Sequence, residues 1–365
     1  MGDGQAGSLS ALLQQRLHAA IQHNGGWLPF DRFMSMALYE PGLGYYDNGS
    51  LKFGQMPASG SDFVTAPELS PLFARALSVQ VAQALTACDS AEVWEFGAGS
   101  GALAAQLLVE LGDSVRTYHI VELSAQLRAR QAQQLQAWAG RVIWHGQWPE
   151  RMEGVVLGNE LLDAMPVQLL RWDGTRWFER GVAEAEGAYV WHDAATALRP
   201  PAEAEFVPET VIELHAQAEA FVRSLAEHMG RAVALFIDYG FPQDEYYHPQ
   251  RTGGTLMCHR AHRADGNPLV DVGLKDITAH VDFTGIALVA QEAGLDVLGY
   301  TSQGRFLINC GLASLLEQAP LQEAIAAQRL IHEHEMGELF KVIALARDVQ
   351  FDALGFRLGD RSHRL

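Results

Sequence analysis

Residues Glu92-Val-Trp-Glu95-Phe-Gly97-Ala-Gly99-Ser-Gly101 decide the fold. An apolar run ends in an acid, glycines follow at alternate positions, and Ala102-Leu-Ala-Ala-Gln-Leu-Leu108 continues as a good helix former. Strand, glycine turn and helix in that order bring bare backbone N–H groups and a helix N-terminus beside a ligand. A second apolar run, Tyr118-His-Ile-Val-Glu122, ends in another acid about 20 residues after Gly101, the interval at which a doubly wound fold sets its ribose-binding carboxylate. A tight turn without a ligand is the alternative, and two acids at matching strand ends count against it.

The glycines follow G-x-G-x-G rather than G-x-G-x-x-G, and an acid stands two residues before the first of them. Both features suit S-adenosylmethionine better than NAD. That ligand has no pyrophosphate for the helix to hold, but its amino acid end and ribose diol need polar partners.

Composition narrows the class. Lys plus Arg number 26 against 44 Asp plus Glu, a formal net charge of −18, and no basic stripe interrupts the acidic balance. Phosphate-driven nucleic-acid binding is therefore disfavoured. An acidic surface attracts basic protein partners, although solubility alone also explains it. Three widely spaced cysteines, Cys88, Cys258 and Cys310, do not make a disulfide framework. No apolar run reaches membrane-spanning length, and the N-terminus lacks the apolar core of a signal peptide. A cytoplasmic protein without a membrane partner is expected.

Along the chain, helical stretches at Leu9–Gln22 and Phe30–Leu38 lead into loops rich in Gly, Pro and Tyr. Ser70-Pro71 has the form of an N-cap and first-turn proline opening a helix to about Leu85. Strands are predicted at 92–96, 117–122, 141–145 and 154–158, with helices at 101–111 and 124–138 between them. That alternation indicates a parallel sheet covered on both faces. Residues 168–205 break the rhythm as a hairpin-rich insertion, followed by a predicted helix at 208–228. A fifth strand at 231–240, a helix at 282–293, a strand at 295–301, helices over 311–336 and a strand at 340–346 complete the prediction. The domain reading is an N-terminal helical and loop extension over 1–70, then a catalytic domain over 71–365 with an insertion at about 168–229.

Ligands of open α/β sheets bind beyond the carboxyl ends of the strands. That rule draws Glu95, Glu122, Asn159, Glu160 and Asp238 toward one crevice, where several carboxylates call for a cation. The segment Asn159-Glu160-Leu-Leu-Asp163-Ala-Met-Pro166 is the best catalytic candidate. Pro166 limits any helix to about one turn, and Glu160 and Asp163 at i, i+3 would share its face. Two carboxylates on one face grip a guanidinium and turn one nitrogen toward a methyl group. The alternative makes Asp163 a cap and Glu160 a solvated residue. Tyr45, Tyr46 and Phe63 either stack on the ligand or pack in the core. Asp282 is most simply an N-cap, and His280 is either structural or a proton acceptor. No metal is expected: Cys258-His259 with His262, and His332 with His334, match no spacing with a known metal geometry.

Taken together, these segments resemble one family. It is the bacterial and mitochondrial S-adenosylmethionine-dependent methyltransferases (MidA-like) whose mitochondrial member is complex I assembly factor 7, a protein arginine methyltransferase. The resemblance runs from Phe33-Met-Ser-Met-Ala-Leu-Tyr-Glu-Pro-Gly-Leu-Gly-Tyr-Tyr46 through Asp62-Phe-Val-Thr-Ala-Pro-Glu68, the glycine turn, Asn159–Pro166, Asp238-Tyr-Gly240 and Asp276–Phe283 to Met336-Gly-Glu-Leu-Phe-Lys-Val342. It implies an α/β fold: a seven-stranded, Rossmann-like methyltransferase sheet with an N-terminal extension closing over the cofactor and an inserted lid segment. It implies S-adenosyl-L-methionine at Glu95, Gly97, Gly99, Gly101 and Glu122, with Asp62, Phe63 and Thr65 closing over it. Glu160, Asp163 and Asn159 then carry transfer to an arginine of a protein substrate. In the mitochondrial member that protein is a complex I subunit. The family pattern starts too early to leave room for a mitochondrial leader, so a bacterial chain is expected, with a homodimer as one oligomeric form. A non-catalytic assembly factor and a small-molecule methyltransferase are the competing readings. Ser61 departs from the family, which has glycine before the Asp-Phe pair.

Overall fold

The computed structural model describes residues 3–48, 64–201 and 204–365. Its central sheet contains β1 (Glu92–Phe96), β2 (Thr117–Val121), β3 (Val142–His145), β4 (Met152–Asn159), β5 (Met229–Phe241), β6 (Val281–Asp282), β7 (Asp296–Ser302) and β8 (Phe340–Arg347). The order is β7-β8-β5-β4-β1-β2-β3, with the two-residue β6 beside the end of β5, so among the described residues the sheet has eight strands rather than seven. Strands β3, β2, β1, β4 and β5 are parallel, and β8 runs antiparallel to both neighbours. β1 lies between β4 and β2, which places the turn after it where the chain order reverses, the ligand position of such sheets.

The period of two along β5 explains the two-sided burial. Val233, Leu235 and Ile237 enter one core with helices Pro71–Cys88 and Ala102–Leu111. Ala232, Ala234 and Phe236 enter the other, with Ala216–His228 and Phe283–Glu292. Helix Pro71–Cys88 starts where Ser70-Pro71 predicts: the Ser70 hydroxyl accepts from the Leu72 N–H, a cap worth about 1 kcal/mol. Asp282 likewise caps its helix, accepting from the N–H groups of Thr284 and Gly285.

A second, antiparallel sheet joins the insertion to the N-terminal segment. It holds Gln168–Trp172, Trp177–Ala185, Ala188–Ala195 and Val211–Leu214, with Trp27–Pro29 pairing against residues 181–183. Helices Asp3–His23 and Phe30–Tyr39 pack on it through Leu13, Leu17, Phe30 and Phe33 against Leu169 and Val182.

Several boundaries differ from expectation. The predicted helix at 208–228 is a strand followed by a helix, because Val211-Ile212 pairs with Leu170-Arg171 and completes the insertion sheet. The helices expected over 311–336 are Leu312–Gln318 and Leu321–Ile331, separated at Pro320, and they stop five residues short of the expected end. A helix at Gln303–Asn309 and a small sheet of Met257–Arg260, Arg263–Asp265 and Asp276–Thr278 are additional. No helix among the described residues is long and apolar enough to cross a membrane.

Candidate active site

The glycine turn sits at the carboxyl end of β1 with Gly97, Gly99 and Gly101 at φ of +66°, +52° and +82°. At Gly97 an added Cβ would also stand 3.0 Å from Leu161 Cδ1. Only glycine takes such a run of left-handed positions without strain.

Glu95 is 3% exposed beneath this turn and accepts from the Tyr118 hydroxyl at 2.7 Å. Glu122 lies beyond the end of β2. Its Oε1 accepts from the Ser124 N–H at 2.9 Å and its Oε2 from Gln131 Nε2 at 3.3 Å. Each oxygen keeps a second lone pair for a hydroxyl of a ligand.

Gln131, absent from the sequence-derived set, is fully buried. Its Nε2 also donates to the Gly99 carbonyl at 3.1 Å, and its Oε1 accepts from Trp144 Nε1. One amide therefore locks the glycine turn to Glu122. Its only sequence signal was a polar residue on the buried face of the helix after β2.

Across the crevice, the segment after β4 is not the predicted helical turn. Glu160 has φ +52°, which reverses the chain, and the N–H groups of Leu161, Leu162 and Asp163 converge on Asp238 Oδ2 at 3.1, 2.8 and 3.2 Å. Glu160 and Asp163 are therefore brought together by a loop wrapped around a buried carboxylate. Asp238, expected among the ligand-facing acids, is 1% exposed and accepts from the loop backbone instead. Glu160 Oε1 accepts from Asn159 Nδ2 at 3.1 Å and from the Ala66 N–H at 3.4 Å. Asp163 Oδ2 accepts from the Tyr239 hydroxyl at 2.5 Å. Asn159 Oδ1 and Asp163 Oδ1 are buried without a hydrogen-bond partner, a costly state that a donor on a bound ligand relieves.

The first segment reaches both sides. Tyr39 donates to the Ala164 carbonyl at 2.7 Å, Tyr46 to Asp276 Oδ1 at 2.8 Å, and the Ser124 hydroxyl donates to Asp47. Tyr45 is buried in the core beside Tyr46, so packing decides its place. His280 stacks on Phe241 at 5.2 Å and meets the Tyr239 ring edge-on. Thr65 opens the short helix Ala66–Leu69 without a side-chain cap bond. Asp62, Phe63 and Ser61 lie outside the described residues.

The electrostatics follow from burial. Desolvation, with repulsion from Asp163, pushes Glu160 from 4.5 to about 8. Desolvation pushes Glu95 to about 7, opposed by the Tyr118 hydrogen bond. Burial also raises Asp163, while Tyr239 pulls it down.

The folded chain thus keeps protons that the unfolded chain releases. Stability from Glu95 and Glu160 is complete below their unfolded values and is lost as pH rises through the folded values near 7 and 8. The ligand-free protein is expected to melt at falling temperature from about pH 5 to about pH 9, and Glu160→Gln to melt with a shallower decline. Identical slopes in thermal melts of the two proteins would place the Glu160 carboxyl in water.

Known proteins share this architecture. Residues 76–301 match the model of a family of S-adenosyl-L-methionine-dependent methyltransferases. A COG1565 superfamily member from Burkholderia thailandensis, solved with S-adenosyl-homocysteine bound, is 48% identical with a TM-score of 0.93, covering 100% of this chain and 99% of that one. The mitochondrial protein arginine methyltransferase NDUFAF7 homolog of Drosophila melanogaster is 28% identical over 91% of this chain and 84% of its own length. Human NDUFAF7 is 25% identical over 86% of this chain and 78% of its own. S-adenosyl-homocysteine is what remains of S-adenosylmethionine after its methyl group has left. The crevice, with its acceptor-rich walls and glycine turn, therefore belongs to an enzyme that uses S-adenosyl-L-methionine, and the chain is a member of this family of S-adenosyl-L-methionine-dependent methyltransferases.

Proposed function

We propose that the chain methylates an arginine side chain of a protein substrate, with Glu160 and Asp163 as the acceptor carboxylates. The observation that carries this reading is the pairing of two buried acids on one loop, with Asp163 Oδ1 and Asn159 Oδ1 lacking donors. A guanidinium supplies several N–H donors in a planar fork and the positive charge that such acids need. The relatives named protein arginine methyltransferases support the same substrate.

Glu95, Gly97, Gly99, Gly101 and Glu122 would hold S-adenosylmethionine, which when bound supplies a methyl group on a cationic sulfur. Glu160 and Asp163 accept guanidinium N–H groups and aim one nitrogen across the crevice. As the nitrogen–carbon bond forms and the sulfur–methyl bond breaks, leaving S-adenosyl-homocysteine with the electron pair, that nitrogen sheds a proton, and the Glu160 carboxylate would take it. With its carboxyl near 8 in the free chain, Glu160 is mostly neutral at pH 7, and a guanidinium alongside draws it toward the ionised form. Residues 1–70 would close the crevice; the bonds of Tyr39, Asp47 and Ala66 to both walls support this. Three free, buried cysteines fit a reducing cytoplasm as the compartment. A respiratory complex I subunit is the first protein substrate to test.

The test of the acceptor class is incubation of the protein with radiolabelled S-adenosylmethionine in a lysate from cells lacking it. Label in a protein band is expected, and label confined to small molecules would overturn the reading. On the cofactor side, Glu122→Ala is expected to weaken S-adenosylmethionine by about 1.5–3 kcal/mol through loss of charge-assisted bonds to the ribose hydroxyls. In calorimetry a 2′,3′-dideoxy analogue should lose little more on mutation. Additive losses would mean that Glu122 does not touch the ribose.

A further inference from the structure

Asp238-Tyr239 lie near the carboxyl end of β5, and both residues reach the loop that carries Glu160 and Asp163. Asp238 Oδ2 accepts three consecutive backbone N–H groups of that loop, and Oδ1 accepts from the Tyr239 N–H at 2.9 Å. Every one of these partners is a donor, so the Asp238 side chain gathers the loop amides as an acceptor gathers a nest of backbone N–H groups. The left-handed backbone at Glu160 is what lets these N–H groups converge. Tyr239, the next residue along β5, donates its hydroxyl to Asp163 Oδ2. Its ring is held edge-on by His280 at 5.1 Å and Phe340 at 5.3 Å.

We propose that Asp238 and Tyr239 are the positioning residues of the methyl-acceptor site. Asp238 fixes the loop backbone so that Glu160 and Asp163 face the crevice together, and Tyr239 occupies Asp163 Oδ2 so that Oδ1 is the oxygen offered to substrate. The proposal rests on reading Glu160 and Asp163 as the acceptor carboxylates. It accounts for the buried Asp163 Oδ1, which has no donor, beside an Oδ2 that already holds the Tyr239 hydroxyl. The ionisable groups facing Asp163 are Glu160 on its own loop, Asp238 and Tyr239 on β5, and Tyr39 and Tyr46 from the first segment.

Tyr239→Phe keeps the ring and removes only the donor. Losing a hydrogen bond to the charged form raises the Asp163 pKa, so the step of the pH–rate profile at which Asp163 ionises should move upward by about one unit, toward the step set by Glu160. Transfer at neutral pH should fall about tenfold and recover toward alkaline pH, with S-adenosylmethionine affinity by calorimetry within about threefold of wild type. Asp238→Asn should lower transfer at every pH without that recovery. Rates come from label passing from radiolabelled S-adenosylmethionine to protein in the deficient lysate. A wild-type profile in Tyr239→Phe, or wild-type transfer in Asp238→Asn, would overturn the corresponding part of the proposal. Glu160→Gln run in parallel separates the two levels. If it is fully active, the acceptor reading itself fails; if it is inactive while Tyr239→Phe and Asp238→Asn behave as wild type, only the positioning proposal fails.

Discussion

Glu160→Gln is expected to bind S-adenosylmethionine within about threefold of wild type and to transfer methyl groups about a hundredfold more slowly, the scale for losing a positioned base. The amide keeps the shape of the carboxyl group and its hydrogen bond from Ala66, but it cannot take the proton that leaves the methylated nitrogen. Asp163→Asn should act in the same direction and less severely, since one Asp163 oxygen is already engaged by Tyr239. If both carboxylates hold one group, the double variant should lose less than the sum of the single losses. Calorimetry with the cofactor and single-turnover labelling separate binding from transfer. Full activity of Glu160→Gln would remove the paired carboxylates from the reaction.

Gly99→Val is expected to abolish cofactor binding in a chain that still folds. The backbone there has φ +52°, a region that a β-branched residue occupies only under strain. The Gly99 carbonyl is also the acceptor through which Gln131 ties the turn to Glu122, so straining this residue disturbs both halves of the site. Circular dichroism establishes the fold and calorimetry the affinity. Unchanged affinity would take the glycine turn out of the cofactor site.

Much of the central sheet is readable from local pattern because its strands are short apolar runs closed by glycine or acid. β1 and the helix after it, and the Ser70 and Asp282 caps, lie where the residues alone place them. The insertion was harder. Val211–Leu214 owes its strand conformation to a partner at Gln168–Arg171, distant in sequence, and a helical period within the segment cannot report that partner.

The same division runs through the site. Acids near strand ends gather at the carboxyl edge of the sheet, since topology alone carries them there. What each acid does depends on contacts across the chain. Asp238 has the same strand-end signature as Glu95, yet it is consumed by N–H groups some 75 residues earlier. Glu160 and Asp163 meet through that loop rather than through helical spacing, so the pairing was legible and its cause was not. Gln131 carried no signal beyond being polar on a helix.

On the proposed reading the methyl group reaches an arginine nitrogen. The most direct measurement is amino acid analysis of the protein labelled by wild-type enzyme from radiolabelled S-adenosylmethionine, after hydrolysis to free residues. Label in methylarginine is expected, with only background label when Glu160→Gln replaces the wild type. Label on lysine, on a carboxyl group or in small molecules alone would contradict it.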